Sequence, residues 1–85
     1  MKSNRTFFLY TTPECPYCFD AKVLLAEKKI KFITMELSWE HETLRRLKEE
    51  MDWKTVPMIF ELLGRDHKFV GGYTDLVDYL GKENG

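Results

Sequence analysis

Two cysteines three positions apart, Cys15 and Cys18, lie in the run Thr11-Thr12-Pro13-Glu14-Cys15-Pro16-Tyr17-Cys18. A thiol pair at this spacing can cycle between dithiol and disulfide. Pro16 lacks an N–H and has its φ preset for a first helical turn, so it fits position N1 of a helix, with Cys15 as N-cap and Cys18 at N3. An N-cap side chain accepts from the amides of N2 and N3, here Tyr17 and Cys18, at the positive end of the helix dipole. Both effects favour a Cys15 thiolate and pull its pKa from about 8.5 toward the roughly 3.5–7.5 range of activated thiols. Cys15 is therefore the expected nucleophile. Cys18, one turn further in, can attack a mixed disulfide on Cys15 and release the reduced product, which is a resolving role.

Competing chemistries fit less well. A structural zinc needs about four ligands, and the only histidines, His41 and His67, are too far apart in sequence for the usual paired spacing. A structural disulfide across two intervening residues closes too short a loop to constrain the unfolded chain much. Two inert buried thiols would not require Cys-Pro-Tyr-Cys at a helix start.

The flanking sequence supplies the elements that position this pair. Residues 5–10, Arg-Thr-Phe-Phe-Leu-Tyr, read as a buried strand, and Phe19, Val23, Ala26 and Ile30 recur at helical spacing after it, predicting a helix from Pro16 to about Lys29. A second strand is expected over 31–37, parallel to the first through a right-handed crossover. Ser38 is the expected N-cap of a helix from Trp39 to about Met51, with Leu44, Leu47 and Met51 inward and His41 a surface residue of its first turn. After the loop ending in Pro57, 58–61 and 67–70 read as an antiparallel hairpin around Gly64, with His67 exposed. Gly71-Gly72 allows a sharp turn, Thr74 can cap a last helix with Asp75 in its first turn, and Leu76, Val77 and Leu80 pack inward. Residues 81–85 read as a frayed tail. The expected fold is α/β, ordered β-α-β-α-β-β-α, with a mixed four-stranded sheet flanked by helices. The first strand is internal, so the Cys15 helix, the Pro57 loop and the Gly71-Gly72 turn should frame one groove.

With 85 residues, a single domain spanning 1–85 is expected. Thirteen basic and 14 acidic residues nearly cancel, giving a formal net charge of −1, so no nucleic-acid or acidic-membrane partner is indicated. Met1-Lys2-Ser3-Asn4-Arg5 lacks a signal peptide's apolar segment, and no apolar run approaches the ~18 residues of a membrane span. The expected address is cytoplasmic, where such a pair is more often catalytic than structural.

Cys15-Pro16-Tyr17-Cys18, Thr55-Val56-Pro57 and Gly71-Gly72-Tyr73-Thr74-Asp75, in this order and spacing, resemble a dithiol glutaredoxin of the thioredoxin fold over essentially the whole chain. The resemblance implies a cis Pro57 that turns the Val56 backbone toward the cysteines, and an enzyme with glutathione as co-substrate and no tightly bound cofactor. It assigns Tyr17 to the groove wall, Lys54 to the glycine carboxylate of glutathione, Val56 to main-chain pairing, and Thr74 and Asp75 to the γ-glutamyl end, with Thr55, Pro57 and Gly72 in the same site. Implied partners are glutathione and disulfide-containing or glutathionylated proteins, ribonucleotide reductase among them, met by a monomer. Many members carry Lys or Arg where this chain has Thr12, and Glu14 and Asp20 add anions near the nucleophile. A less depressed Cys15 pKa and weaker glutathione affinity are expected than in members with the basic set. The nearest alternative is a glutaredoxin-like redoxin reduced by thioredoxin reductase and feeding ribonucleotide reductase. A second is an iron–sulfur carrier using Cys15 and glutathione as ligands, disfavoured by the Pro16-stiffened turn.

Overall fold

The computed structural model describes residues 5–83. Its elements run β1 (Thr6–Thr11), α1 (Pro16–Glu27), β2 (Lys31–Glu36), α2 (Glu42–Glu50), β3 (Met58–Leu63), β4 (Asp66–Gly71) and α3 (Tyr73–Glu83). The four strands form one mixed sheet in the order β2-β1-β3-β4. β2 is parallel to β1, while the β1–β3 and β3–β4 pairs are antiparallel. The element order, the parallel β1–β2 pair with β1 internal and the β3–β4 hairpin are as expected from the sequence; the antiparallel β1–β3 pairing completes the sheet.

Alternation in β1 sends Phe7, Leu9 and Thr11 to one face of the sheet, all buried, and Phe8 and Tyr10 to the other. On the first face Phe7, Leu9 and Ile59 pack with Ala21 and Leu25 of α1, Ile30 after it, and Leu76 and Leu80 of α3. On the second, Met58 and Phe60 pack with Val56, Cys18 and Leu44 of α2, while Leu47 and Met51 lie partly buried against them. Cys18 thus anchors the start of α1 in the second core. A two-residue hairpin joins β3 to β4, with Gly64 at φ 64 in the left-handed conformation that such tight turns demand.

The apolar repeat Phe19, Val23, Ala26 and Ile30 that marks α1 is not its buried face: only Ile30 is buried, and the helix buries Cys18, Ala21 and Leu25, because its other apolar stripe faces the sheet. Three local expectations are corrected. Helix α2 starts at Glu42 rather than Trp39: residues 38–41 close a turn through His41 N–H to the Ser38 carbonyl at 3.1 Å, and His41 is the N-cap, its Nδ1 accepting from Thr43 N–H at 3.1 Å. In α3 Val77 is exposed, one residue off the Leu76–Leu80 stripe that meets the sheet. The last helix also runs through Gly81 to Glu83 instead of fraying at 81; the remainder of the expected tail and residues 1–4 lie outside the described residues.

A charged cluster that sequence reading passed over ties β1, β3 and α3 together. Glu61, buried on β3, accepts from Arg5 Nε at 2.8 Å and Nη2 at 2.9 Å and from the Tyr79 hydroxyl at 2.6 Å. Arg5 also lies over the Phe7 and Tyr79 rings, at 5.2 and 5.4 Å from their centroids. The Arg5 guanidinium holds the Glu61 carboxyl below its ordinary value of 4.5, outweighing burial, which pushes the other way; the Tyr79 hydroxyl adds to the lowering. A folded-state pKa below the unfolded one stabilises the fold above the unfolded value, and that stabilisation is lost as pH falls through the folded value. Glu61→Gln is therefore expected to cost about 2–3 kcal/mol at pH 7. In denaturant titrations the gap from the parent protein should shrink as pH drops below 4.5. A gap independent of pH would contradict this assignment.

Candidate active site

Three backbone features converge where β1 ends. β1 leads through buried Thr11 and Thr12 into Pro13 and Glu14, and Glu14 takes φ 54 to bring Cys15 to the start of α1. Cys15 is the N-cap: its backbone is extended and its Sγ accepts from Cys18 N–H at 3.1 Å, with Pro16 in the first turn after it. Opposite, the Val56–Pro57 bond is cis, and the Val56 carbonyl oxygen lies 3.9 Å from Cys15 Sγ. The third feature is the turn into α3, where the Leu76 N–H bonds to the Gly72 carbonyl at 3.0 Å, making Gly72 rather than Thr74 the N-cap. Asp75, at N3, reaches back to accept from Gly72 N–H at 2.9 Å, half of a capping box. Gly71 is required beside it: its φ is 124, and a Cβ there would lie 2.6 Å from Asp75 Oδ2.

Cys15 and Cys18 are joined by a disulfide, with their Cα atoms 5.2 Å apart. The two sulfurs have unequal surroundings. Cys18 is 2% exposed and packed among Val56, Met58 and Leu44, whereas Cys15 is half-buried, with exposed Pro16 and Tyr17 beside it. Glu14, adjacent to Cys15 in the chain, and Asp20, one turn into α1, are exposed carboxylates, and Thr12 is buried and neutral.

A cleft of about 420 Å³ lies between the Pro57 loop and the start of α3, lined by Tyr17, Trp53, Thr55, Val56, Gly72, Tyr73, Thr74 and Asp75. Six residues singled out in the sequence therefore share one cavity. Pro57 is fully buried beneath the loop. Lys54 is exposed and lines an adjoining depression with Lys48, Glu49, Asp52 and Trp53. Sequence reading missed Trp53 and Tyr73. The Trp53 ring stands 3.8 Å from where a Gly72 Cβ would be, and Tyr73 stacks on Tyr17 with centroids 6.1 Å apart and planes at 24°. Their positions within the Trp53-Lys54-Thr55 and Gly72-Tyr73-Thr74 runs were the available signal. The histidines stand apart from the cysteines: His41 caps α2, and His67 meets the Phe60 ring edge-on. Among the described residues no group of three or more His, Cys, Asp or Glu is placed to hold a metal ion.

A disulfide between the N-cap and N3 residues of a helix, with the outer sulfur beside a peptide-lined cleft on this sheet, defines a thiol–disulfide oxidoreductase site in a thioredoxin-like fold. Thioredoxin f2 of Chlamydomonas reinhardtii has the same fold, with a TM-score of 0.58 at 12% identity over 96% of this chain and 81% of that one. The glutaredoxin family model matches residues 7–67, and the chain belongs to that family. It is 39% identical over 75 residues to glutaredoxin 1 of Rickettsia conorii, covering 86% of this chain and 70% of the relative. The crystal structure of glutaredoxin 1 from Francisella tularensis superposes with a TM-score of 0.74 at 28% identity, covering 92% of this chain and 94% of that one.

Proposed function

We propose that the protein is a glutathione-dependent oxidoreductase that reduces protein disulfides and glutathione mixed disulfides in the cytoplasm. The observation that carries this reading is the cleft beside Cys15, which brings the Val56 main chain and a helix N-terminus to a peptide thiol. Glutathione would lie along Val56, its sulfur at Cys15 and its γ-glutamyl carboxylate at the first N–H groups of α3, around Thr74 and Asp75, which have no intrahelical acceptor. The Asp75 carboxylate would also accept from the γ-glutamyl ammonium, Tyr17 and Tyr73 would wall the groove, and Lys54 would approach the glycine carboxylate. Thr55, Pro57 and Gly72 shape the floor. No bound cofactor enters the chemistry.

In the mechanism, the Cys15 thiolate attacks one sulfur of a disulfide, forming a mixed disulfide and expelling the other sulfur as a thiolate that takes up a proton. In the dithiol route Cys18 loses its proton and attacks Cys15 Sγ, releasing the second substrate thiol and leaving the Cys15–Cys18 bond. Two glutathione molecules reduce that bond and leave as oxidised glutathione. In the monothiol route Cys15 takes glutathione from a glutathionylated protein and passes it to a second glutathione. The test is NADPH-coupled reduction of a small mixed disulfide with glutathione and glutathione reductase, run beside an arm with thioredoxin reductase alone. Turnover in the glutathione arm supports the reading. Turnover only in the other arm would replace it with a redoxin that serves an enzyme such as ribonucleotide reductase, a role favoured by neutral Thr12 and the exposed Glu14 and Asp20. A further expected outcome concerns Asp75→Ala: loss of the bond to Gly72 N–H lowers stability by about 1 kcal/mol. It should also raise the KM for glutathione several-fold with little change in kcat, which steady-state kinetics would measure.

A further inference from the structure

The apolar stripe that α1 leaves in solvent starts beside the nucleophile. Phe19 is 63% exposed and Val23 37%, and exposed Pro16 continues the stripe to the helix start next to Cys15. Phe19 and Val23 are one turn apart, so they share a face. None of this is needed for the core, since the helix already buries Cys18, Ala21 and Leu25 on its opposite side. Glu14 and Asp20, both exposed, put negative charge along the Cys15 end of the stripe.

We infer that this stripe is the docking surface for the protein substrate of the dithiol, and that it selects an extended segment carrying apolar and basic residues close to the disulfide. The inference rests on the disulfide-reducing role proposed above. At about 1.5 Å rise per residue, Phe19 lies roughly 6 Å and Val23 roughly 12 Å along the helix from Cys15. An extended partner advances about 3.3 Å per residue, so side chains two and four positions from the substrate cysteine reach Phe19 and Val23. Burial of apolar side chains there favours the complex, and a basic neighbour answers Glu14 and Asp20. In the pose proposed above glutathione lies in the cleft lined by Tyr17 and Val56, which Phe19 and Val23 do not line, so its reaction is indifferent to the stripe.

The test uses two lysine-containing peptides, each with one cysteine joined to thionitrobenzoate and with either leucine or serine at the second and fourth positions after that cysteine. The reduced protein is mixed with each in single turnover. Attack by the Cys15 thiolate joins the peptide to Cys15 and expels coloured thionitrobenzoate, so the reading needs no glutathione. The leucine peptide is expected to react about tenfold faster at subsaturating concentration. In Phe19→Ser/Val23→Ser that preference should collapse while the reaction with a small mixed disulfide is unchanged. Equal rates for the two peptides on the parent protein, or a preference that survives in the variant, would overturn the inference. Parallel glutathione-coupled turnover of the parent protein reports separately on glutathione dependence. Phe19→Ser and Val23→Ser as separate single variants repeat the comparison, each expected to reduce the leucine preference, and a full preference in both would likewise overturn the inference.

Discussion

Cys15→Ser is expected to lower turnover by at least about a thousandfold on both protein disulfides and glutathione mixed disulfides. The size of the effect follows from the unequal placement of the two sulfurs. The chain has only two cysteines, and the second, Cys18, is 2% exposed among apolar side chains. It has neither the helix N-cap position nor access to a bulky disulfide, and serine at position 15 is a poor nucleophile at neutral pH. Steady-state rates on a small mixed disulfide and on a protein disulfide measure this. Survival of more than about a tenth of the activity would mean that Cys18 attacks first and that the roles are exchanged.

Cys18→Ser should divide the two reactions. Cys18 stands with its Cα 5.2 Å from that of Cys15 and forms a disulfide with it, so its attack on a mixed disulfide is intramolecular. A positioned group acts at an effective concentration far above the millimolar level of a free thiol, so its loss should slow reduction of protein disulfides on the order of 10²-fold or more. Removal of glutathione from a glutathionylated protein needs only Cys15 and a second glutathione, and should stay within a few-fold of the parent rate. Parallel assays on the two substrate types read this directly. Equal loss in both would show that the supposed resolving cysteine is required for the first attack or for the fold.

The sequence made the centre of this molecule legible because its determinants are local. Pro16 at N1 fixes Cys15 as the N-cap, and the structure gives the predicted bond from Cys18 N–H to Cys15 Sγ. The parallel pairing of β1 and β2 followed from the helix between them, and Gly64 announced the hairpin. What was not legible depends on partners distant in the chain. Phe19 and Val23 have helical spacing as good as that of Ala21 and Leu25, and only the position of the sheet decides which stripe is buried. The Arg5–Glu61–Tyr79 cluster brings together residues 56 and 18 positions apart, with no pattern to mark it. In the site, Trp53 and Tyr73 escaped because an aromatic residue in a loop or at a helix start reads equally well as core. Thr74 lost the capping role because Gly72, with Asp75 reaching back to it, closes the helix two residues earlier.

The most direct measurement is capture of glutathione by the Cys18→Ser protein, followed by intact mass spectrometry after mixing with oxidised glutathione at neutral pH. Cys15 is then the sole thiol, and one glutathione per chain should add at least about tenfold faster than to the same protein unfolded in denaturant, because thiolate fraction and docking in the cleft multiply. Added reduced glutathione should remove the adduct completely. An adduct that forms no faster on the folded protein, or that reduced glutathione does not reverse, would contradict a Cys15 thiolate poised beside a glutathione-binding cleft.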